Sequence, residues 1–385
     1  MTTTAPPLDV DALLDDPATG IIVCCGSGGV GKTTTSAALA LRAAQRGRKV
    51  VVLTIDPARR LAQSMGIEEL DNTPRPVPLP HGGDGAGSLD AMMLDMKRTF
   101  DEVVESQASP EKAAQILANP FYQALSSSFA GTQEYMAMEK LGQLHKDAAR
   151  TDRWDLIVVD TPPSRSALDF LDAPERLSSF LDGRFIRIML APARGPARLM
   201  TAGLGVVTSS LTKILGTQVL RDMQTFVAAF DTLFGGFRQR AQKTFELLQA
   251  RGTAFVVVAA PEPDALREAA FFVERLNEEN MPLAGLIVNR VGRVAPGGLS
   301  ADQSMAAAER LEESPDGDRS AEITAGLLRL HAERARIVSR ESHLRQRFAA
   351  AHPEVATALM PALPTDVHDL EGLRLVGDLL TADAG

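Results

Sequence analysis

Short runs of apolar residues alternate along the chain with longer stretches of helical character. The first run, Ile21–Cys25, ends in glycines, and an alanine- and leucine-rich stretch follows it from Lys32 to Gln45. The runs are continuously apolar, which is typical of parallel strands covered on both faces. Strands that alternate with helices predict βαβ units, and therefore an α/β fold with a doubly wound, mostly parallel sheet. The further predicted elements are strands at Val50–Ile55, Leu156–Val159, Phe255–Ala259 and Leu286–Val288 and a helix from Pro263 to Glu279.

Two long stretches between the predicted strands have helical character and few strand signals. They cover about residues 99–150 and 168–250, and we expect them to form a helical subdomain inserted into the sheet domain. The stretch at about 291–319 mixes glycine, serine and acidic residues and predicts a mobile loop. We assign residues 1–16 to an N-terminal tail and residues 17–385 to a single domain, since no internal duplication is visible.

The composition is typical of a soluble globular protein. Hydrophobic residues make up 45% and charged residues 23% of the 385 residues, and no apolar run approaches the ~18 residues that a membrane span requires. The N-terminal region is acidic and lacks a basic, apolar leader, so we expect a cytoplasmic protein. The formal net charge of -9 disfavours a broad phosphate-backbone surface, and we expect no nucleic-acid partner.

Metal-ligating side chains are few. The two cysteines, Cys24 and Cys25, are adjacent in the first predicted strand, a spacing that suits neither a disulfide framework nor a CxxC metal site. We expect both to be buried strand residues. The six histidines are scattered without a paired ligand spacing, so we expect no structural zinc.

The segment between the first strand and the first helix carries the strongest chemical signal. It reads Gly26-Ser27-Gly28-Gly29-Val30-Gly31-Lys32-Thr33 and matches the phosphate-loop pattern G-x-x-x-x-G-K-[ST] in full. A preceding strand and a following helix distinguish such a loop from a glycine turn that merely packs. We expect the backbone from Gly28 to Thr34 to bind the phosphates of ATP, Lys32 to reach the terminal phosphates and Thr33 to ligate Mg²⁺.

Two carboxylates each follow an apolar strand. Asp160 comes after Leu156–Val159 and Asp56 after Val50–Ile55, which places both at the carboxyl end of the sheet, where open α/β folds bind ligands. We expect Asp160 to serve Mg²⁺ through a water molecule, and one of the two carboxylates to position the attacking water. Taken alone, an acid after an apolar run is often only a helix cap or a turn residue.

At this point the sequence resembles a known family. The segments that carry the resemblance keep the family's order and spacing, and they cover most of the chain outside the N-terminal sixteen or so residues and 291–319. They are similar to segments of the arsenite-pump ATPases (ArsA) and the tail-anchored-protein targeting ATPases, a branch of the Min/Par-like phosphate-loop proteins. In order, they read GSGGVGKTTTS, TIDPARRLAQSMG, VVDTPPSRSALDFL, FVVVAAPEPDALREAAFFVERL, LIVNR and MPALPTDVHDLEGL.

The resemblance implies roles for residues around the phosphates. It implies that Asp56 orients the hydrolytic water and that Asp160 and Thr33 serve Mg²⁺. Thr161, Pro162 and Pro163 would form a second switch that couples the nucleotide state to the helical subdomain, and the chain would be dimeric across the nucleotide face.

The resemblance also implies a pocket for the base. Asn289 would recognise the adenine ring, and Pro361 to Asp366, including Pro364, would complete the pocket. From the residue alone, an asparagine after a strand is equally a common turn residue.

The chain departs from the family's pattern at several positions. Ser27 stands where family members usually carry a lysine that reaches the partner's nucleotide across the dimer, and a serine supplies no such positive charge. We therefore expect either a homodimer in which another cation substitutes, or a heterodimer with a paralogous ATPase that brings its own lysine. The thiolates that bind metalloid or zinc in the family are missing, and Ser164-Arg165-Ser166 replaces the family's TGHT motif.

One segment is both cationic and apolar. Residues 183–221 contain no Asp or Glu and six Lys or Arg residues among many large apolar ones. Such a segment is suited to a hydrophobic client or a membrane-associated partner, or its apolar residues pack the helical subdomain. The same two interpretations apply to a group of methionines, Met92, Met93, Met96, Met136 and Met138.

We weigh three functions. The first is Mg-dependent ATP hydrolysis coupled to movement of a helical, client-binding subdomain. The second is a nucleotide-binding regulatory subunit of a heteromeric complex, marked by Ser27, with little hydrolysis of its own. The third is a membrane-associated positioning protein, which the short acidic segment Gly377–Gly385 disfavours because no basic amphipathic helix is visible there.

Overall fold

The computed structural model describes residues 5–56, 60–79, 87–120, 122–123, 126, 132–162, 239–294, 298–313 and 319–382. These residues contain an eight-stranded sheet in the order β3-β4-β2-β5-β1-β6-β7-β8. All neighbouring strands run parallel except β3 and β4, which are antiparallel. The predicted α/β class with a mostly parallel sheet is therefore confirmed. The strands are β1 Ile21–Cys25, β2 Lys49–Thr54, β3 Arg75–Pro76, β4 Ser88–Met93, β5 Leu156–Asp160, β6 Thr253–Ala259, β7 Leu283–Val291 and β8 Thr357–Pro361.

Helices cover both faces of this sheet. Successive residues of β1 point to opposite faces, so Ile21, Val23 and Cys25 join one apolar cluster while Ile22 and Cys24 join the other. This is why the strands are continuously apolar in sequence. The helices are α1 Val10–Asp15, α2 Lys32–Gln45, α3 Arg60–Ser64, α4 Met96–Gln107, α5 Pro110–Leu117, α6 Thr132–Thr151, α7 239–249, α8 Pro263–Glu278, α9 Ala301–Glu312, α10 Arg319–Ala351 and α11 Leu370–Thr381.

The first cluster joins the sheet to the helical part of the chain. It contains Phe100 of α4, Tyr135 of α6 and Phe272 of α8. Met92, Met136 and Met138 are buried in the same cluster, so these methionines fill the core. Helices α4, α5, α6 and α7 lie within the predicted helical segments. The remainder of the second segment, including residues 183–221, lies outside the described residues.

The N-terminal segment is an integral part of the sheet domain, which corrects its assignment as a tail. Leu8 donates a backbone hydrogen bond of 3.1 Å to Thr357 at the sheet edge, and Thr357 donates one of 2.7 Å to Pro6. Helix α1 buries Val10 and Leu14 in the second apolar cluster. The sequence pattern missed this helix because it has only six residues.

The region predicted as a mobile loop, 291–319, is in large part helical. Residues 301–312 form α9, which begins with a capping box between Ser300 and Gln303. Helix α10 follows and packs along α9, burying Ala325 and Ala332. The opposite side of α10 carries exposed large apolar residues, Ile323, Leu327, Leu330 and Ile337.

Within the described ranges, no helix combines the length and the apolar character needed to cross a bilayer.

Candidate functional site

The loop between β1 and α2 has a backbone that only glycine permits at several positions. Gly26, Gly29 and Gly31 adopt φ values of 149°, 77° and 95°. A Cβ atom on Gly26 would lie 2.1 Å from the carbonyl oxygen of Val258 in the neighbouring strand β6. The glycines therefore allow a tight loop with positive φ values to pack directly against the sheet.

Helix α2 begins at the end of this loop with unused backbone donors. Gly31 is its N-cap, and no side chain caps it. The first intrahelical bond runs from the Thr35 N–H to the Gly31 carbonyl oxygen at 2.9 Å, so the N–H groups of Lys32, Thr33 and Thr34 precede the helical ladder. Uncapped donors and the positive end of the helix dipole suit an anion such as a phosphate.

Lys32 lies buried across the loop. Its Nζ donates a 2.8 Å hydrogen bond to the Ser27 carbonyl oxygen, and its residue surface is only 5% exposed. Burial lowers its pKa, while the nearby Asp160 and Asp56 carboxylates act to raise it. The buried ammonium is positioned to interact with negative charge at the loop.

Asp160 stands at the centre of the carboxyl edge because of the strand register. It ends β5 and pairs with Cys24 of β1 on one side and Thr54 of β2 on the other. Its Oδ2 accepts hydrogen bonds of 2.8 Å from the Thr33 hydroxyl and 2.9 Å from the Thr54 hydroxyl. Burial raises its pKa to about 6, against the opposing effects of these two hydrogen bonds and of Lys32.

The second oxygen of Asp160 makes this a fitting site for a cation. Oδ1 is fully buried and has no hydrogen-bond partner among the described residues. The Thr33 hydroxyl donates a hydrogen bond to Oδ2, so the lone pairs of the Thr33 oxygen remain available for a ligand. A carboxylate and a hydroxyl oxygen are the ligand types that Mg²⁺ prefers, so Thr33 and Asp160 fit the expected magnesium position.

Asp56 follows β2 on the same edge. Its backbone N–H donates a 3.2 Å hydrogen bond to the Thr54 hydroxyl, and the residue is 9% exposed. The two predicted acids, Asp56 and Asp160, are therefore joined through one side chain, that of Thr54.

Asn289 contacts the phosphate loop directly. Its Nδ2 donates a 2.7 Å hydrogen bond to the Val30 carbonyl oxygen, and a Cβ on Gly31 would lie 2.2 Å from the same nitrogen. Its Oδ1 accepts a 2.8 Å hydrogen bond from the Arg290 N–H, at a residue with φ of 59°. The expected adenine contact stays a prediction, but the side chain does lie at the loop.

The predicted base-pocket segment lies one strand further out. Pro361 ends β8 beside Val291 of β7, the strand that carries Asn289. Pro364 and Asp366 are exposed in the connection between β8 and α11, where the Asp366 carbonyl oxygen is 2.8 Å from the His368 Nδ1. The register thus brings Pro361 close to the end of β7 that carries Asn289, while Pro364 and Asp366 are exposed, and the base pocket stays a prediction.

Only the beginning of the predicted second switch is described. Thr161 is buried, and its backbone N–H and its hydroxyl both donate to the Cys24 carbonyl oxygen, at 3.3 and 2.8 Å. Pro162 is partly exposed, and Pro163 and Ser164-Arg165-Ser166 lie outside the described residues. Thr161 therefore connects the strand end of Asp160 to the strand that precedes the loop.

Thr54 is a buried residue of this site that the sequence did not point to. It is 1% exposed at the end of β2 and contacts Asp160 and the backbone of Asp56. One signal was available: a hydroxyl stands among apolar residues two positions before an acid in a strand predicted to be fully buried. Such a buried hydroxyl needs a hydrogen-bond partner, but the sequence does not say which.

The two cysteines lie where the sequence predicts them, in β1, buried and free. Burial raises the pKa of Cys24 to about 12 and raises that of Cys25 as well. Among the described residues, no group of three or more His, Cys, Asp or Glu side chains is arranged to hold a metal ion.

These features together define a phosphate-loop nucleotide-binding protein. They are the glycine-rich loop between a strand and a helix, the buried lysine on that loop, and the hydroxyl hydrogen-bonded to a carboxylate. The sequence model of the anion-transporting ATPases matches residues 19–296. The match covers more than half of the chain, so the protein belongs to this ArsA-type ATPase family, and the resemblance inferred from the motifs is confirmed.

Individual relatives match over part of their length. The chain is 32% identical to the ATPase GET3 of Malassezia globosa over 177 residues, 46% of this chain and 49% of that protein. It is 26% identical to an ATPase ASNA1 homolog of Cryptosporidium parvum over 266 residues, 69% and 63% of the two chains. An arsenical pump-driving ATPase of Acidiphilium multivorum is 30% identical over 159 residues, 41% of this chain and 26% of the relative. The chain thus spans less than two thirds of these three relatives.

Proposed function

We propose that the protein binds Mg-ATP at the loop Gly26–Thr33 and hydrolyses it to ADP and phosphate. The observation that carries this proposal is the arrangement of Asp160. One of its oxygens accepts the hydrogen bond of the Thr33 hydroxyl, and the other is buried without a hydrogen-bond partner among the described residues. A buried, unpaired carboxylate oxygen is costly unless a ligand or a cation completes it. Family membership supports the same conclusion.

The chain's own residues divide the work of the reaction. Bound Mg²⁺ would supply positive charge against the phosphate oxygens, and Thr33 and Asp160 would hold it, the latter through water. The loop N–H groups and Lys32 bind and orient the phosphates. Asp56 orients the water that attacks the γ-phosphorus as the bond to the ADP oxygen breaks. Because such transfer depends on orientation and charge, these positioning roles account for the catalysis.

The proposal includes coupling to the helical part of the chain. Strand β4 pairs with β2, and the Leu94 N–H donates a 2.9 Å hydrogen bond to the Thr54 carbonyl oxygen just before α4 begins at Met96. The strand end next to Asp56 is therefore bonded to the start of the helical part. This contact supports transmission of nucleotide-driven movement to α4 and its neighbours.

The proposed assembly is a cytoplasmic dimer. The residue at position 27 decides whether the two subunits can be identical. Lys32 already bonds to the Ser27 carbonyl oxygen, and the serine side chain brings no second cation. A paralogous ATPase that carries its own lysine there is the partner that would complete the charge. The client would be hydrophobic or membrane-associated. The protein would not bind metalloid through Cys24 and Cys25, because burial raises the pKa of both thiols and disfavours the thiolate form that binds metalloid.

The alternative is a regulatory subunit that binds ATP and hydrolyses little of it. Ser27 favours this alternative because one transition-state charge is missing in a homodimer. The two functions differ in turnover and share nucleotide binding.

The test measures ATP affinity and phosphate release separately for the wild type, Lys32→Ala and Asp56→Asn. Lys49→Ala is the matched control, because Lys49 lies at the opposite end of β2 and pairs only with Asp152 at the surface in the described contacts. We expect Lys32→Ala to lose binding and hydrolysis, Asp56→Asn to lose hydrolysis alone, and Lys49→Ala to behave as the wild type.

Three other results would change the conclusion. Hydrolysis that persists in both variants would remove the site assignment. Tight ATP binding without hydrolysis, alone and with a paralogue, would establish the regulatory alternative. A rate per protomer that is high and constant on dilution would show that no partner is required.

A further inference from the structure

Thr54 links the two acids of the proposed site. It is the last residue of β2, 1% exposed, and lies directly opposite Asp160 in the parallel register of β2 and β5. Its hydroxyl lies 2.9 Å from Asp160 Oδ2 and 3.2 Å from the backbone nitrogen of Asp56.

The direction of these hydrogen bonds is fixed by chemistry. A backbone N–H is only a donor, so the Thr54 oxygen accepts from Asp56. The Thr54 hydroxyl therefore donates its single hydrogen bond to Asp160 Oδ2. The same oxygen also accepts a hydrogen bond from the Thr33 hydroxyl. The result is a continuous chain in which Asp56 donates to Thr54 and both threonines donate to Asp160. Such chains hold their members in one arrangement because each bond orients the next.

We propose that Thr54 is a positioning residue that fixes the backbone of Asp56 relative to the Asp160 carboxylate. This inference rests on the proposed ATPase function. It adds a role for Thr54, the first residue of the segment TIDPARRLAQSMG, to which the resemblance assigned none. The Thr54 bond to Asp160 is independent of Thr33, so it would remain if Thr33 served as a ligand of bound Mg²⁺. Thr54 thereby keeps the water-orienting acid in register with the metal-binding acid.

A purely structural role makes a different prediction. If Thr54 only filled space at the strand end, valine, which has nearly the same shape, would keep kcat, and serine would be worse because it lacks the methyl group. If the hydroxyl positions Asp56, serine restores function and valine does not. The packing around Thr54 and its hydrogen bonds are thus separable by two substitutions.

The experiment compares wild type, Thr54→Val, Thr54→Ser and Thr54→Ala with the control Thr253→Val. Thr253 is also a buried strand threonine, 2% exposed, and its hydroxyl donates to the Leu247 carbonyl oxygen at the far end of the sheet. Each protein is measured for kcat and KM with ATP, for melting temperature, and for the free Mg²⁺ concentration that half-maximally tightens binding of a fluorescent ATP analogue.

We expect Thr54→Val to lower kcat about ten- to a hundred-fold with KM within about three-fold, as expected for a lost hydrogen bond to a charged group in the transition state. The Mg²⁺ concentration for half-maximal tightening should rise several-fold. Thr54→Ser should regain both properties, and Thr253→Val should retain them. Thr54→Ala replaces the valine variant in these comparisons if valine does not fold, and should show the same loss.

Several outcomes would overturn the proposal. One is wild-type kcat in Thr54→Val or Thr54→Ala; another is a serine variant as impaired as valine at an unchanged melting temperature. A third is a loss of kcat that follows the fall in melting temperature in the same way in Thr54→Val and in Thr253→Val. That result would assign the effect of Thr54→Val to lowered stability. A wild type that binds no nucleotide would remove the proposed function and this inference together, whereas an active wild type with an active Thr54→Val removes this inference alone.

Discussion

The side-chain amide of Asn289 donates a 2.7 Å hydrogen bond to the carbonyl oxygen of Val30, which lies 259 residues earlier in the chain. This bond ties the end of β7 to the middle of the phosphate loop. The contact is so close that any side chain on Gly31 would collide with the amide nitrogen. The shape of the loop therefore depends on Asn289 as well as on its own glycines.

Replacing Asn289 by aspartate should loosen the loop. A carboxylate oxygen would face the Val30 carbonyl oxygen, so a donor–acceptor pair becomes two acceptors. We expect a loss of about 1–3 kcal/mol in the free energy of unfolding and at least about ten-fold weaker ATP binding. Urea denaturation and calorimetric titration measure the two effects. Asn277→Asp, on the exposed side of α8, is the control; equal ATP affinity in wild type and Asn289→Asp would contradict the role of this contact.

Magnesium-dependent nucleotide binding should weaken in acid. Burial raises the pKa of Asp160 to about 6, so its carboxyl group is protonated below that pH and ionised above it. Mg²⁺ requires the ionised form. The Mg²⁺ concentration for half-maximal tightening should therefore be constant above about pH 7 and rise about ten-fold per unit well below pH 6. Titrations of a fluorescent ATP analogue with and without chelator test this; an unchanged Mg²⁺ requirement from pH 8 to pH 5 would contradict it.

Arg42 should contribute to stability by joining three helices. Its guanidinium on α2 makes a bidentate pair with Asp11 of α1 at 2.6 and 2.8 Å and contacts Asp378 of α11 at 2.9 Å. We expect Arg42→Met to lower the free energy of unfolding by about 1–2 kcal/mol, since bidentate, partly buried pairs exceed ordinary surface pairs. At about 1 M salt, where the Debye length is about 3 Å, the difference should shrink.

The control for Arg42 is Arg150→Met. Arg150 is mostly exposed and pairs with Asp147 on its own helix. Its replacement should change the unfolding free energy by less than about 0.5 kcal/mol. Equal effects of the two substitutions would show that the bidentate geometry adds nothing.

Asp90 should hold the only tryptophan of the chain in place. Its Oδ2 accepts 2.8 Å contacts from the Trp154 indole N–H and from Arg153. Asp90→Ala leaves the buried indole N–H without this acceptor, and we expect a loss of about 2–3 kcal/mol in unfolding free energy. The tryptophan emission should shift to longer wavelength as well. Asp302→Ala, at a fully exposed helix start, is the control; an unshifted emission with unchanged stability would refute the prediction.

The parts of the fold that follow from local pattern were predictable. Strand β1 and helix α2 have the bounds that the apolar run and the alanine-rich stretch predict, Ile21–Cys25 and Lys32–Gln45. The loop between them matches a phosphate-binding pattern that is found between a strand and a helix, so its position was predictable too. The closeness of Asp160 to the phosphate loop also follows, because the parallel strands β1 and β5 end at a common edge.

The rest depends on partners distant in sequence. Strand β4 contains Asp90, whose charge resembles a loop signal until Trp154 and Arg153 are seen beside it. Helix α10 is apolar on two opposite sides, one packed on α9 and one exposed, so no single amphipathic stripe stands out. Thr54 was missed for the same reason, since its partners come from another strand.

The bond between Pro6 and Thr357 has a consequence for how the chain is made. A ribosome releases the chain from its N-terminal side, so the partner of Pro6 exists only after Thr357 has been synthesised. During that interval the edge of β7 that pairs with β8 is open, a condition in which partly synthesised chains associate. Strand β8 thus completes both the pairing of β7 and the backbone bonds of Pro6 and Leu8, although it is synthesised long after all three.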